Sequence, residues 1–162
     1  MTIGEVVSQN GVDYDNAFLE YLDNCIGENA GEDQIAAWES LPQIFRQYHA
    51  LFALDSEQFN GGFNQYFARY SSYIPMCEAA LDGLKLVGAD KHHELALEAV
   101  SIFVHYFPNL QTVMEQWSIP ESPKLTETDI DHRFQAAGDL QDLRFKWLDA
   151  SRTFIQETAK TE

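Results

Sequence analysis

Apolar residues along this chain recur at spacings of three and four, the period of helices that each bury one face. Phe18, Leu22, Cys25 and Ile26 form such a stripe in a helix predicted from an Asp13 N-cap to about Gly27, with Glu20 and Asp23 on its other face. Residues 33–39 predict a short helix. Leu41-Pro42 opens a longer one, because a proline in the first turn gives up only an N–H that would be unpaired there. Ile44, Phe45, Tyr48, Leu51, Phe52 and Asp55 continue that pattern to about Gln58, and Asn60-Gly61-Gly62 breaks it.

Beyond the break, Phe63, Tyr66, Phe67 and Tyr70 predict a short aromatic helix. Pro75 starts the next, with Met76, Ala80, Leu84 and Val87 inward and Glu78 and Asp82 outward, ending at Gly88. Asp90 caps a helix running to Phe107, with Leu95, Ala99, Ile102, Phe103 and Tyr106 inward and Asp90, Glu94 and Glu98 in one acidic row. A further helical stretch over 110–117 leads into an exposed connection over 118–123. Residues 129–137 and 139–156 read as a final helix pair anchored by Leu140, Leu143, Trp147, Leu148 and Phe154. No segment alternates as strands do, so the expected fold is all-α. It is a single compact domain of about seven to nine helices over residues 1–162, carrying an acidic N-terminal helical extension at about 1–33.

Composition agrees with a packed core. Of 162 residues, 45% are hydrophobic and 13% aromatic, too many for disorder despite the charge. That charge is −16, from 26 acids against 10 bases, which argues against direct binding to DNA, RNA or anionic lipid and favours a basic partner. Its distribution is uneven: Glu5, Asp13, Asp15, Glu20, Asp23, Glu28, Glu32, Asp33 and Glu39 all precede the first cation, Arg46. No nearby residue in sequence neutralises that field, and such fields steer positively charged partners. The chain start lacks a basic, apolar leader pattern and no apolar run reaches membrane-spanning length, so a cytoplasmic location is expected.

Candidate chemistry is sparse. The Asn60-Gly61-Gly62-Phe63 turn lacks the preceding strand and the Lys-Ser/Thr pair of a phosphate loop, and reads as a structural turn. His92-His93-Glu94 and Asp129-Ile130-Asp131-His132 could each donate to a metal, yet neither is a complete ligand set, so these histidines are expected at the surface and no cofactor is expected. Cys25 and Cys77 lack paired spacing and read as buried thiols. Phe59, Phe63, Tyr66, Phe67, Tyr70 and Tyr73 could stack on a planar ligand, but aromatics at helical spacing are first of all core. Nothing local recommends a nucleophile and base, and no enzyme is expected.

The acidic rows have a measurable limit. Carboxylates four residues apart on a helix stand about 6 Å apart along the axis. A DNA strand carries one charge per roughly 3.4 Å, so a single row supplies only about half of one strand's density. Imitating a duplex takes several helices side by side, or two subunits. Glu78/Asp82, Asp90/Glu94 and Glu94/Glu98 each cost helix stability by roughly 0.2–0.5 kcal/mol, which favours a use for them.

The stretch Leu54-Asp55-Ser56-Glu57-Gln58-Phe59-Asn60-Gly61-Gly62-Phe63-Asn64-Gln65-Tyr66-Phe67 resembles the L-D-x-E-x-x-N-G-G-F-x-Q-[FY]-F signature of a bacterial helical family that includes a DNA-mimic protein. Residues 78–89 are similar to its following helix and residues 129–134 to a later segment. The resemblance implies an all-α fold, a homodimer and capture of a helix-turn-helix transcription factor in place of operator DNA. The expected partner-binding residues are Asp13, Asp15, Glu20, Asp23, Glu28, Glu78, Asp82, Asp90, Glu94 and Glu98, while Asn60, Gly61, Gly62, Phe63 and Gln65 form a structural motif. Two alternatives stay open: an enzyme or small-ligand domain with a site near Asn60 and the aromatic helix, and an acidic interaction or toxin-neutralising module.

Overall fold

The computed structural model describes residues 1–28, 34–106 and 123–160. Among them the protein is all-α, with nine helices in one compact domain. These are α1 (Ile3–Val6), α2 (Gly11–Glu28), α3 (Gln34–Ser40), α4 (Gln43–Tyr70), α5 (Ile74–Leu86), α6 (Asp90–Tyr106), α7 (Pro123–Glu127), α8 (Ile130–Gln135) and α9 (Leu140–Thr158). The expected helix over 110–117, most of the connection over 118–123, and Glu32 and Asp33 lie outside the described residues.

Two short helices were not predicted. Thr2 and Glu5 make a reciprocal capping box that closes α1 around a single buried residue, Val6, too short a stretch for a period to register. In α7, Leu125 is fully buried. Helix α2 starts at Gly11, ahead of Asp13, which therefore sits in the first turn instead of capping it.

Helix α4 is the central beam, and α5 lies along it. A Cβ at Gly83 of α5 would strike the Gln47 carbonyl of α4, so this glycine sets how closely the two helices approach. The N-terminal helices join the same core: Phe18 of α2 meets Phe45 edge-on at 5.3 Å and Tyr48 at 5.2 Å. At the far end of α4, Phe63 contacts Phe134 of α8 at 5.2 Å, and Phe67 stacks on Phe103 of α6 at 4.3 Å. Burying each such ring contributes about 1.5–3 kcal/mol.

Several inward and outward assignments change. Tyr106, the last residue of α6, is exposed, and so is Phe154, because the neighbouring Ile155 takes the inward position in that turn of α9. Phe59 leaves the aromatic cluster and stands 87% exposed. His92, expected at the surface, is buried edge-on against Phe134 at 4.9 Å, since α8 closes over that turn of α6. Cys25 and Cys77 are half-buried, and burial pushes the Cys77 thiol up to about 11, far from a reactive thiolate.

Candidate functional site

The glycine turn bends α4 without ending its course. Gly62 adopts φ 73°, the left-handed region, and a Cβ there would collide with the Asp131 carboxylate of α8. Gly61 is extended, at φ −168°, a conformation open to any residue; its restriction is steric, because a Cβ would run into the Gln65 side chain. The bend exposes the N–H of Phe63, and Asp131 accepts it at 2.7 Å together with Gln58 Nε2 at 3.0 Å. Across the inside of the bend, buried Glu57 accepts from Gln65 Nε2 and from Arg69 Nη1, the latter at 2.5 Å. The Asn60-Gly61-Gly62-Phe63-Gln65 motif thus acts as a capped kink, with no backbone cradle for phosphate.

Behind the kink lies a buried charge network. Arg144 of α9, 2% exposed, donates Nη2 to Asp15 at 2.9 Å and Nη1 to Asp55 at 2.5 Å. Tyr48 donates its hydroxyl to the other oxygen of Asp15, and the Arg144 guanidinium lies 5.1 Å over the Phe52 ring. Burial, followed by the nearby Asp15 charge, pushes the Tyr48 phenol far up, so it keeps the proton it donates. Burial likewise raises Asp55, against the opposing pull of Arg144.

Asp55 and Arg144 also floor a cleft of about 660 Å³, whose lining includes Phe52, Phe59, Gln58, Asn60, His92, Phe134 and Asp139. This is within the size range of small-molecule sites. Gln58 Oε1 and Arg144 Nε are buried without a hydrogen-bond partner. Burial holds His92 below 6.5, despite a backbone hydrogen bond at Gly138 and the charge of Asp55. Among the described residues no group of three or more His, Cys, Asp or Glu side chains is placed to hold a metal.

The ten acids expected to bind a partner divide. Asp15 is withdrawn from that role: it is 1% exposed and saturated by Arg144 and Tyr48, because it shares the apolar face of α2 with Phe18 and Leu22. The field of the cation-free N-terminus is therefore partly neutralised by a distant helix. Arg152 of α9 adds to this, capturing the Val7 and Gln9 carbonyls at 2.6 Å each and lying 4.3 Å over the Tyr14 ring.

Asp13, Glu20 and Asp23 are exposed on α2, with Asp23 3.1 Å from His49 Nε2. Glu28 is the last residue of α2, and its side chain lies outside the described atoms. Glu78 and Asp82 are exposed on α5, beside a shallow groove that also includes Arg46. Asp82, Asp90 and Glu94 converge on His93, whose pKa is nevertheless lowered by burial and by Lys85. Glu94 pairs with Lys91 at 3.3 Å, and Glu98 is held by both Nη atoms of Arg133 at 2.7 Å. The row along α6 therefore ends in a neutralised pair. The acids of α2 and those of α5 and α6 lie on separate packed sets, α2 against α1, α3, α4 and α9, and α5 against α4 and α6.

The buried network had a signal in the sequence. Asp15 falls in register with Phe18 and Leu22, and Arg144 with Leu140 and Leu148, so each places a charge on an apolar stripe. Asp131 carried no such mark.

No helix among the described residues is long and apolar enough to cross a membrane. A family model described as DMP19-like protein matches residues 39–151, the segment that contains the kink and all of α4, α5 and α6. No curated protein and no solved structure matches the chain.

Proposed function

The chain belongs to the DMP19-like protein family, and from that premise we propose that it is a non-enzymatic, cytoplasmic DNA-mimic protein. It binds a basic DNA-binding protein, of the helix-turn-helix repressor type, and excludes operator DNA. The observation that carries this reading is the outer face of α2, where Asp13, Glu20 and Asp23 are exposed and the helix holds no lysine or arginine. Seven residues of helix separate Asp13 from Glu20, about 10.5 Å of axis, close to three phosphate steps of roughly 3.4 Å.

Glu78, Asp82, Asp90 and Glu94 supply a second acidic set, reduced by Lys85 and Lys91 on the same two helices. One protomer is too dilute to pass for a duplex, and a homodimer that places two such faces together restores the density. Screening sets in beyond about 8 Å at physiological salt, so the faces must be adjacent.

The test is capture of a basic protein from bacterial lysate at low and physiological salt, then competition against that protein's operator DNA. Wild-type protein should displace the DNA, and less so as salt rises. A variant carrying Asp13→Lys, Glu20→Lys, Asp23→Lys, Asp82→Lys and Glu94→Lys should not. If that variant displaces DNA at wild-type concentrations, the proposed surface is wrong.

A further inference from the structure

Asp15 and Asp55 share a single guanidinium, that of Arg144, so two carboxylates face one cation beneath the cleft. One negative charge is left over. The chain has no further cation to give: all ten lysines and arginines lie within the described residues, and none of the other nine pairs with Asp15 or Asp55. His92 is the remaining basic group beside Asp55, and burial keeps it neutral at neutral pH, while the Asp139 charge adds to the negative side.

That surplus charge is open to the cleft, since the Asp55 side chain is 29% exposed there. Asp139 lines the same cleft and adds a second carboxylate. Gln58 contributes a buried acceptor, Oε1, that has no hydrogen-bond partner, while its Nε2 donates to Asp131. An aromatic ring stands in the lining as well, that of Phe59, which is 87% exposed.

We propose that this cleft binds a small organic cation with a guanidinium head, which meets the Asp55 carboxylate and stacks on Phe59. An anion is disfavoured by the Asp55 and Asp139 carboxylates in the lining, and both Nη atoms of Arg144 are already committed to carboxylates, which leaves only its buried Nε without a partner. A bare metal ion is disfavoured by the lack of three converging ligands among the described residues, and by a volume of about 660 Å³, far beyond one ion. Guanidinium is favoured over ammonium because it is planar, more weakly hydrated and stacks on aromatic faces. This site is separate from the proposed partner surface and does not depend on it.

The experiment is a titration of the full isotope-labelled chain, followed by NMR at physiological salt, with agmatine and with putrescine, which has the same four-carbon spacer and no guanidinium. Agmatine should bind saturably, shifting Phe59, Asp55 and Gln58, with an affinity about tenfold above that of putrescine. Phe59→Ala, at an exposed position where folding is not at risk, should weaken agmatine by roughly 2- to 30-fold. Glu20→Lys with Asp23→Lys should leave agmatine binding within about twofold, because those charges lie on α2 away from the cleft. Equal binding of the two amines, shifts spread over the acidic surface, insensitivity to Phe59→Ala, or no saturation in the millimolar range would each overturn the proposal.

Discussion

The Asp131 carboxylate accepts the backbone N–H of Phe63 at 2.7 Å, capping the second half of a helix from another helix 68 residues away. The bend at Gly61 and Gly62 frees that N–H, and Asp131 occupies the space a Gly62 side chain would need. The same carboxylate holds Gln58, so one side chain joins both arms of the kink to α8.

Asp131→Ala should therefore cost about 1–2 kcal/mol, the loss of a cap plus a stranded Gln58 amide. Urea denaturation measures it through the midpoint. A change of only a few tenths would mean that water replaces the carboxylate without loss.

Two glycines in opposite surroundings give opposite signs. Gly62→Ala meets both a left-handed φ and the Asp131 carboxylate, and should destabilise by about 1–3 kcal/mol. Gly27→Ala sits in α2 with no neighbour within 4 Å of the new Cβ and should stabilise by up to about 1 kcal/mol. Thermal unfolding of the pair checks both.

Arg144→Ala strands Asp15 in the core and should cost about 3–5 kcal/mol. Arg144→Met combined with Asp15→Leu removes both charges of that pair and should recover most of the loss. A double variant no more stable than Arg144→Ala would show that the network is more than paired charge.

Stability should also fall as pH drops through 6.5 toward the lower folded pKa of His92. Burial favours its neutral form in the folded protein, so between those two values the unfolded chain binds the extra proton and gains from acid. Above 6.5 this contribution is complete. His92→Gln should flatten the urea midpoint against pH over that window, and an unchanged slope would assign the dependence to other groups.

Much of this protein is local information. A period of three to four residues laid out most of the helices, and Asn60-Gly61-Gly62 marked the bend, because helix geometry and glycine conformation depend on near neighbours alone. The acidic excess of the first 45 residues was equally legible. Which of those charges remain available was not: Arg144 reaches Asp15 across 129 residues and Asp55 across 89, and Arg133 reaches Glu98 across 35. A charged residue on an apolar stripe announces that a partner must exist, since an unpaired buried charge is too costly to keep. Only the packing of α2, α4 and α9 against one another chooses the partner, and with it which carboxylates face solvent.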